Sequence, residues 1–92
     1  MQPPAGVFLA KMKGGAMQID VEIDCEGLLC PLPVLRARKR LLGMAQGQVL
    51  AVRATDAMAA IDLPHFCAEA GHGFIEARQE GAVGVYLIRA GG

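Results

Sequence analysis

The sequence predicts a single α/β domain, a two-layer sandwich in which two helices cover one face of a mixed four-stranded sheet. Its 92 residues are enough to enclose one hydrophobic core but not two. Hydrophobic residues make up 53% of the chain and charged residues only 20%, which argues against disorder. Segments of strand and helix character follow in the order β-α-β-α-β-β, and right-handed crossovers then place both helices on the same side of the sheet.

The first strand is predicted by alternation. Residues 1–16 contain Pro, Gly and Lys without a sustained period, so we expect a flexible N-terminal tail ahead of a domain that spans residues 17–92. Met17 is an equally sensible start. In residues 18–24, Ile19, Val21 and Ile23 alternate with polar side chains. This period of two predicts a strand with one buried and one exposed face.

The first helix is predicted over residues 31–42, with Gly43 as its stop. Proline is favoured at the first helical position, so Pro31 would put Cys30 at the N-cap. A basic face opposes the apolar one and holds Arg36, Lys39 and Arg40. The predicted apolar stripe consists of Val34, Leu35, Leu41 and Leu42, with Ala37 and Arg38 between them.

The second half of the chain predicts an interior strand, a broken helix and a hairpin. Residues 49–52 are continuously apolar, as in a strand covered on both faces. Asp56 is a good N-cap for a helix that begins at Ala57. Pro64 should split this helix into a short turn that ends at Leu63 and a second piece that ends at Ala70, with Gly71 as the C-cap. Residues 74–79 and 83–89 predict two strands joined by a turn at residues 80–82.

Cys30 is the candidate reactive residue. It stands between a strand and a helix start, where the helix dipole favours a thiolate. Pro31 and Pro33 have no N–H group, which leaves the Leu32 amide as the natural donor to the sulfur. The alternative is that the Pro-x-Pro segment only starts a helix and that Cys30 is a small buried apolar residue. Spacing alone does not separate these two interpretations.

Several separated stretches of the chain resemble the TusA/SirA-like sulfur carrier family. Residues 24–33, Asp-Cys-Glu-Gly-Leu-Leu-Cys-Pro-Leu-Pro, resemble its signature of an acidic residue followed by Gly-Leu-x-Cys-Pro-x-Pro. Thr55-Asp56, residues 62–67 and Gly71-His72 resemble its second stretch in order and spacing, and residues 86–89 resemble its last strand. The resemblance runs from about residue 19 to residue 89 and implies the same two-layer architecture.

What this resemblance implies is a sulfur relay. In the family, the cysteine of the Cys-Pro-x-Pro motif carries sulfane sulfur as a persulfide, and that role carries over to Cys30. The implied supporting residues are Asp24, Gly27, Pro31, Leu32 and Pro33. A cysteine desulfurase or a rhodanese would be the sulfur donor, a DsrE-like or other thiol protein the acceptor, and no cofactor is expected. Two departures, Ala57 in place of a frequent Pro and the apolar Leu32, leave the pathway open, tRNA thiolation being one possibility.

The basic run around Arg36, Lys39 and Arg40 admits two interpretations. It is either a solvated helix face or a docking surface for an acidic partner. As a docking surface it would also lower the thiol pKa. These three residues are candidates for partner binding. Two further functions remain alternatives: a regulatory or interaction module that transfers nothing, and a redox switch in which Cys25 pairs with Cys30.

Composition disfavours other classes of function. The formal net charge is +0, aromatic residues make up 4% and Trp is absent, so direct nucleic-acid binding is not expected. No apolar run is long enough to cross a membrane. Three irregularly spaced cysteines predict a reducing, cytoplasmic location. Because neither a Cys-x-x-Cys pair nor a closely spaced His pair occurs, no metal site is expected, and His65 and His72 are interpreted as structural.

Overall fold

The computed structural model describes residues 18–91, so the predicted tail of residues 1–16 and the alternative start at Met17 lie outside the described residues. Within that range, four strands form one sheet in the order β1-β2-β4-β3. β1 and β2 are parallel, whereas β4 runs antiparallel to both β2 and β3. The predicted element order and the mixed four-stranded sheet are confirmed. The elements are β1 (Val21–Cys25), α1 (Leu32–Leu42), β2 (Val49–Ala54), α2 (Ala59–Ala70), β3 (Gly73–Glu80) and β4 (Val83–Arg89).

The main core lies between the sheet and the two helices. Leu50 and Val52 of β2 and Ile88 of β4 point into it and are fully buried. The residues between them on the same strands, Ala51 and Leu87, belong to a smaller buried cluster on the opposite face of the sheet. Side chains of a strand alternate between faces, so β2 and β4 are covered on both. Burial of both faces explains the continuous apolar run of β2 and agrees with the prediction of an interior strand.

Tyr86 of β4 belongs to the main core and is almost completely buried. Its hydroxyl lies over Gly84, against the place that a Cβ atom would occupy. Any side chain at position 84 would therefore displace the tyrosine ring. The pair lies at the start of β4, next to the turn at Gly81, whose φ of 62° is in the left-handed region.

Helix α1 begins one residue later and is rotated relative to the prediction. Its first residue is Leu32 and its N-cap is Pro31, so Cys30 precedes the cap instead of forming it. The buried residues are Pro33, Ala37 and Leu41. Leu35 and Leu42 are 49% and 82% exposed, so placing them on the buried stripe was wrong. The proline ring takes the first core position, and each residue turns the helix by about 100°.

Helix α2 runs without a break through Pro64, so the predicted division into two pieces was wrong. Ala59, Leu63 and Cys67 are buried at intervals of four residues, on either side of the proline. Their packing holds the helix together across the one hydrogen bond that Pro64 cannot make. The helix starts two residues later than predicted, with Met58 as N-cap. It ends at Ala70 with Gly71 as its C-cap, as predicted, and Gly71 has a φ of 82°.

Candidate functional site: the Cys30 turn and the groove between the helices

Cys30 is the exposed thiol of this protein. All three cysteines lie within the described residues and none forms a disulfide. Cys25, at the end of β1, and Cys67, in α2, are buried in the main core. The interpretation of Cys30 as a buried apolar residue is therefore wrong. Only Cys30 is placed to meet a reagent or a second protein.

A tight turn between β1 and α1 presents Cys30. The Glu26 N–H donates to Oδ1 of Asp24 at 2.9 Å, and the Gly27 N–H donates to Oγ1 of Thr55 at 2.9 Å. Gly27 has a φ of 82°, a left-handed conformation that favours glycine. No atom lies within 4 Å of a Cβ built there, so the backbone angle and not crowding explains the glycine. Asp24 and Gly27 thus shape the turn without touching the sulfur.

Two carboxylates from the second half of the chain contact Cys30. The Cys30 N–H donates to Oδ2 of Asp56 at 2.6 Å, and the Cys30 thiol donates to Oδ2 of Asp62 at 2.8 Å. Asp56 also accepts the Met58 N–H at 3.0 Å. It therefore caps the turn that precedes α2, whereas the N-cap of α2 is Met58 and not Asp56 as predicted. Asp62 lies in the first turn of α2. The β2–α2 loop and the start of α2 therefore complete a site that begins 26 residues earlier.

The Leu32 amide does not contact the sulfur. It donates to the carbonyl oxygen of Leu29 at 2.8 Å, so the expected N–H···S interaction was wrong. The cause is the later start of α1, which leaves Leu32 inside a local turn. The Cys30–Pro31 peptide bond is cis. Pro33, buried in the first turn of α1, anchors the segment to the core, while Leu32 is exposed.

The electrostatic environment favours the protonated thiol. The hydrogen bond to Asp62 raises the pKa of Cys30 above its ordinary value, and partial desolvation and the charges of Asp62 and Asp56 act in the same direction. We expected a lowered pKa from the helix dipole and the basic run, and that expectation was wrong. The two nearby carboxylates determine the direction of the pKa shift. The helix start does not stabilise a thiolate, because the Leu32 N–H donates to the Leu29 carbonyl oxygen and not to the sulfur. The resting site is a thiol whose proton lies against a carboxylate.

A groove opens beside the sulfur, between α1 and α2. Its volume is about 360 Å³. Its walls are formed by Cys30, Pro31, Val34, Asp62, His65, Phe66 and Glu69. His65 and Glu69 form an exposed ion pair at 3.3 Å on the α2 side. The surface continues past Val34, Phe66 and Glu69 to Arg38, in the middle of α1. His72 packs its ring on Phe66 and accepts the Gly91 N–H at Nδ1, which gives it a structural role.

The structure divides the basic run between two sides of α1. Arg36, Lys39 and Arg40 line a depression together with Ile23 of β1, on the side away from the groove. Arg38 lies on the groove side. Arg38 was not selected from the sequence as a partner-binding residue, because helical periodicity placed it within the apolar stripe of the helix. The signal was present in the spacing, since Arg38 is one turn from Val34, which lines the groove with Cys30.

Exposed apolar side chains surround the loops that carry the site. Seven large hydrophobic residues are exposed within the described chain, and five of them flank the Cys30 turn or the start of α2. The two most exposed of these five are Leu29, at 70%, and Ile61, at 64%. The other three are Leu32, Leu35 and Met58. Apolar surface concentrated around one reactive group is typical of a site that contacts other macromolecules.

No group of three or more His, Cys, Asp or Glu side chains within residues 18–91 is arranged to hold a metal ion. In the same part of the chain, no helix has the length and apolar character needed to span a membrane.

Comparison with known proteins agrees with this geometry. The profile of the family described as Sulfurtransferase TusA matches residues 21–90, which include both loops of the site. The chain belongs to the TusA sulfurtransferase family. The family resemblance noted in the sequence is thereby confirmed.

Individual relatives of the TusA family match most of their own length. The sulfur carrier protein TusA of Allochromatium vinosum is 44% identical over 70 residues, 76% of this chain and 92% of that protein. TusA of Pseudomonas aeruginosa is 37% identical over 71 residues, 77% and 90% of the two chains. The crystal structure of a SirA-like protein from Desulfitobacterium hafniense superposes with a TM-score of 0.69 at 28% identity, covering 78% of this chain and 99% of that one. The predicted fold is confirmed by this likeness.

Proposed function

We propose that this protein is a sulfur carrier that holds sulfane sulfur as a persulfide on Cys30 and relays it between proteins. The observation that carries the proposal is the exposure of this one thiol on a fixed turn at the mouth of a groove, while Cys25 and Cys67 are buried. Relatives at 37–44% identity bear the name sulfur carrier protein. Asp24, Gly27, Pro31, Leu32 and Pro33 support the role by setting the turn and the helix start.

Transpersulfidation suits such a site. A thiol sulfur attacks the outer sulfur of a donor persulfide, and the donor cysteine leaves, in the same way as in thiol–disulfide exchange. Both reacting atoms are cysteine sulfurs, so the step needs access and orientation and no cofactor. Cys30 offers access, and its backbone hydrogen bond to Asp56 fixes its position. A buried cysteine cannot approach a sulfur atom on another protein.

A carrier requires a donor and an acceptor. We propose a cysteine desulfurase or a rhodanese as donor and a DsrE-like or other thiol protein as acceptor. The exposed Leu29, Leu32 and Ile61 would contact the partner around the sulfur. Arg36, Lys39 and Arg40 remain candidates for steering an acidic partner, and Arg38 joins them because it lies along the groove.

The alternative of a module that transfers nothing is not favoured, because the relatives that match most of the chain are named sulfur carrier proteins. The raised pKa of Cys30 lowers the fraction of thiolate, which is the reactive form. The redox-switch alternative is disfavoured by packing, because Cys25 would have to leave the core to reach Cys30. A carrier with a protonated resting thiol needs a group that removes the proton during transfer. Asp62, which accepts the hydrogen bond of the Cys30 thiol, is the candidate for that role.

The test is to load the protein with sulfur and locate it. Incubation with a persulfide donor should add the mass of one sulfur atom to the intact protein, and peptide mapping should place it on Cys30. The Cys30→Ser variant should gain none, and Cys67→Ala serves as a control that removes a buried thiol. Added sulfur that persists in Cys30→Ser would contradict the proposal.

A further inference from the structure

Asp62 contacts the reactive sulfur directly and has no other hydrogen-bond partner for its side chain within residues 18–91. The thiol of Cys30 donates to its Oδ2 at 2.8 Å. Asp62 is half-buried in the first turn of α2 and lines the same groove as Cys30. Asp56, by contrast, is occupied by two backbone N–H groups, those of Cys30 and Met58. The two carboxylates therefore have different environments: Asp56 holds the backbone, and Asp62 faces the sulfur.

We propose that Asp62 is a catalytic residue of sulfur transfer, the group that takes the proton from Cys30 on loading and returns it on delivery. The inference rests on the proposed function, because it assigns a role within persulfide transfer at Cys30. It goes further by naming where the proton moves. No other titratable side chain within the described residues is hydrogen-bonded to the Cys30 sulfur.

The loading step can be written with all atoms accounted for. The Cys30 sulfur attacks the outer sulfur of a donor persulfide, R–S–SH. A bond forms between Sγ of Cys30 and that sulfur, and the donor's S–S bond breaks. The electron pair of the broken bond goes to the donor cysteine, which leaves as R–S⁻. The proton of Cys30 goes to Asp62, and the protonated carboxyl then gives it to R–S⁻. The products are Cys30–S–SH, R–SH and the Asp62 carboxylate, and no external oxidant or reductant takes part.

Delivery is the same step in reverse. The acceptor thiol, R′–SH, gives its proton to the Asp62 carboxylate as its sulfur attacks the outer sulfur on Cys30. The bond between the outer sulfur and Sγ breaks, and Cys30 becomes the leaving group. The carboxyl then protonates the departing Sγ, which yields R′–S–SH and the resting thiol. One carboxyl acts as base towards the attacking thiol and as acid towards the leaving one, as in general acid–base catalysis.

This arrangement explains why the site keeps its proton at rest. A carboxylate beside a sulfur opposes a standing thiolate, which agrees with the raised pKa of Cys30. During transfer the carboxylate takes up the proton and becomes neutral. It therefore does not oppose the negative charge that develops on the Cys30 sulfur while the new S–S bond forms. The unloaded carrier is thereby less exposed to alkylation and oxidation, which require the thiolate.

Asp62→Asn separates this role from mere positioning. The amide has the same shape and can still accept a hydrogen bond through its oxygen, but it cannot take a proton. Loading from glutathione persulfide and delivery to glutathione should slow at least tenfold, since general acid–base groups contribute about 10²–10⁴-fold. Alkylation of Cys30 by iodoacetamide should become faster in the same variant, because a negative charge beside the sulfur is lost. Asp62→Glu should recover a large part of the transfer rate.

A matched control and a measurement without mutation complete the test. Glu76→Gln removes one negative charge on β3, where Glu76 pairs with Arg78 and not with the thiol, and should change neither rate. In the wild type, the loading rate should rise less than tenfold per pH unit below the thiol pKa. In Asp62→Asn it should follow the thiolate fraction, which rises about tenfold per unit.

The outcomes distinguish this inference from the proposed function. If the wild type gains no sulfur on Cys30, the proposed function fails. If the wild type loads and Asp62→Asn loads equally fast, only the role of Asp62 is wrong. Slower loading together with slower alkylation would indicate that Asp62 only positions the thiol, and it would overturn the proton-transfer role. A wild-type rate that follows the thiolate fraction over the whole pH range would do the same.

Discussion

The thiol of Cys30 donates a hydrogen bond of 2.8 Å to Oδ2 of Asp62, although the two residues are 32 positions apart in the chain. The contact joins the β1–α1 turn to the first turn of α2. It makes the groove between the helices a place where a nucleophile and a carboxylate meet at the protein surface. The consequences for reactivity, stability and partner binding can each be measured.

Alkylation should distinguish Cys30 from the other two cysteines. Burial raises the pKa of Cys67 to about 11 and also raises the pKa of Cys25. Iodoacetamide at neutral pH should therefore modify the native protein at Cys30 alone, and denatured protein at all three cysteines. Mass spectrometry of both samples checks this. Rapid native modification of Cys25 would contradict the buried position of that residue.

Asp56→Asn should lower the melting temperature at pH 7. Hydrogen bonds from the N–H groups of Cys30 and Met58 lower the pKa of Asp56 below its unfolded value of about 3.9. Its carboxylate therefore stabilises the fold above that value, and the stabilisation is lost as the pH falls through the lower folded pKa. Thermal melts of the wild type and the variant should differ at neutral pH and converge in acid, below the folded pKa of Asp56.

The control for Asp56 is Glu69→Gln, which removes a carboxylate whose one ion pair within residues 18–91 is with the exposed His65. This variant should melt close to the wild type at each pH, because exposed ion pairs contribute little. If the melting temperatures of the wild type and Asp56→Asn differ as much in acid as at neutral pH, then Asp56 stabilises the fold through its shape and not through its charge.

Gly27→Ala should destabilise the turn that presents Cys30. The φ of 82° at this position costs an alanine about 1–2 kcal/mol, although a Cβ would meet no atom within 4 Å. Gly43→Ala is the matched control, because Gly43 has a φ of −95° and an ordinary contact distance of 3.5 Å to Arg40. Urea unfolding should show a loss for Gly27→Ala and little change for Gly43→Ala. Equal stability of the two variants would be inconsistent with the left-handed turn.

Charge reversal on α1 should slow transfer between proteins. With both Arg36 and Arg40 changed to Glu, delivery to an acidic partner should fall by about tenfold at low salt and by less at high salt. Arg38→Glu tests the groove side of the helix separately. Loading from glutathione persulfide should stay close to the wild-type rate in each variant, since a small donor needs no docking surface. Stopped-flow transfer at two salt concentrations measures both effects.

Arg78→Glu on β3 is the comparison for these charge reversals, because it changes charge outside both helices. If the α1 variants deliver sulfur as fast as Arg78→Glu and the wild type at low salt, then Arg36, Arg38 and Arg40 form only a solvated helix face.

The sheet and the reactive turn could be predicted from local pattern. Alternation around Val21 and Ile23, the apolar run of β2 and the glycines at positions 71 and 81 determine strands and turns through short-range preferences. The position of Cys30 between a strand and two prolines was compatible with both an exposed and a buried thiol. The family resemblance then favoured the exposed, reactive thiol. These features depend on neighbours in sequence, which is why the sequence alone was informative.

The chemistry of the site depended on neighbours in space. The Asp62 contact arises from the way α2 packs beside α1, and no local pattern encodes that approach. The direction of the Cys30 pKa followed from the same packing, since the two carboxylates come from another part of the chain. The rotation of α1, which exposes Leu35, was set by the burial of Pro33, a residue that periodicity counts as a helix starter and not as core.

The burial of Tyr86 gives the protein a built-in optical reporter. It is the single tyrosine of a chain without tryptophan, and its ring lies in the core over Gly84. Near-ultraviolet absorbance and fluorescence therefore come chiefly from one known place in β4. A variant at Cys30, Asp62 or the arginines of α1 that leaves this signal unchanged has kept its core, so each loss of transfer activity can be separated from unfolding in the same cuvette.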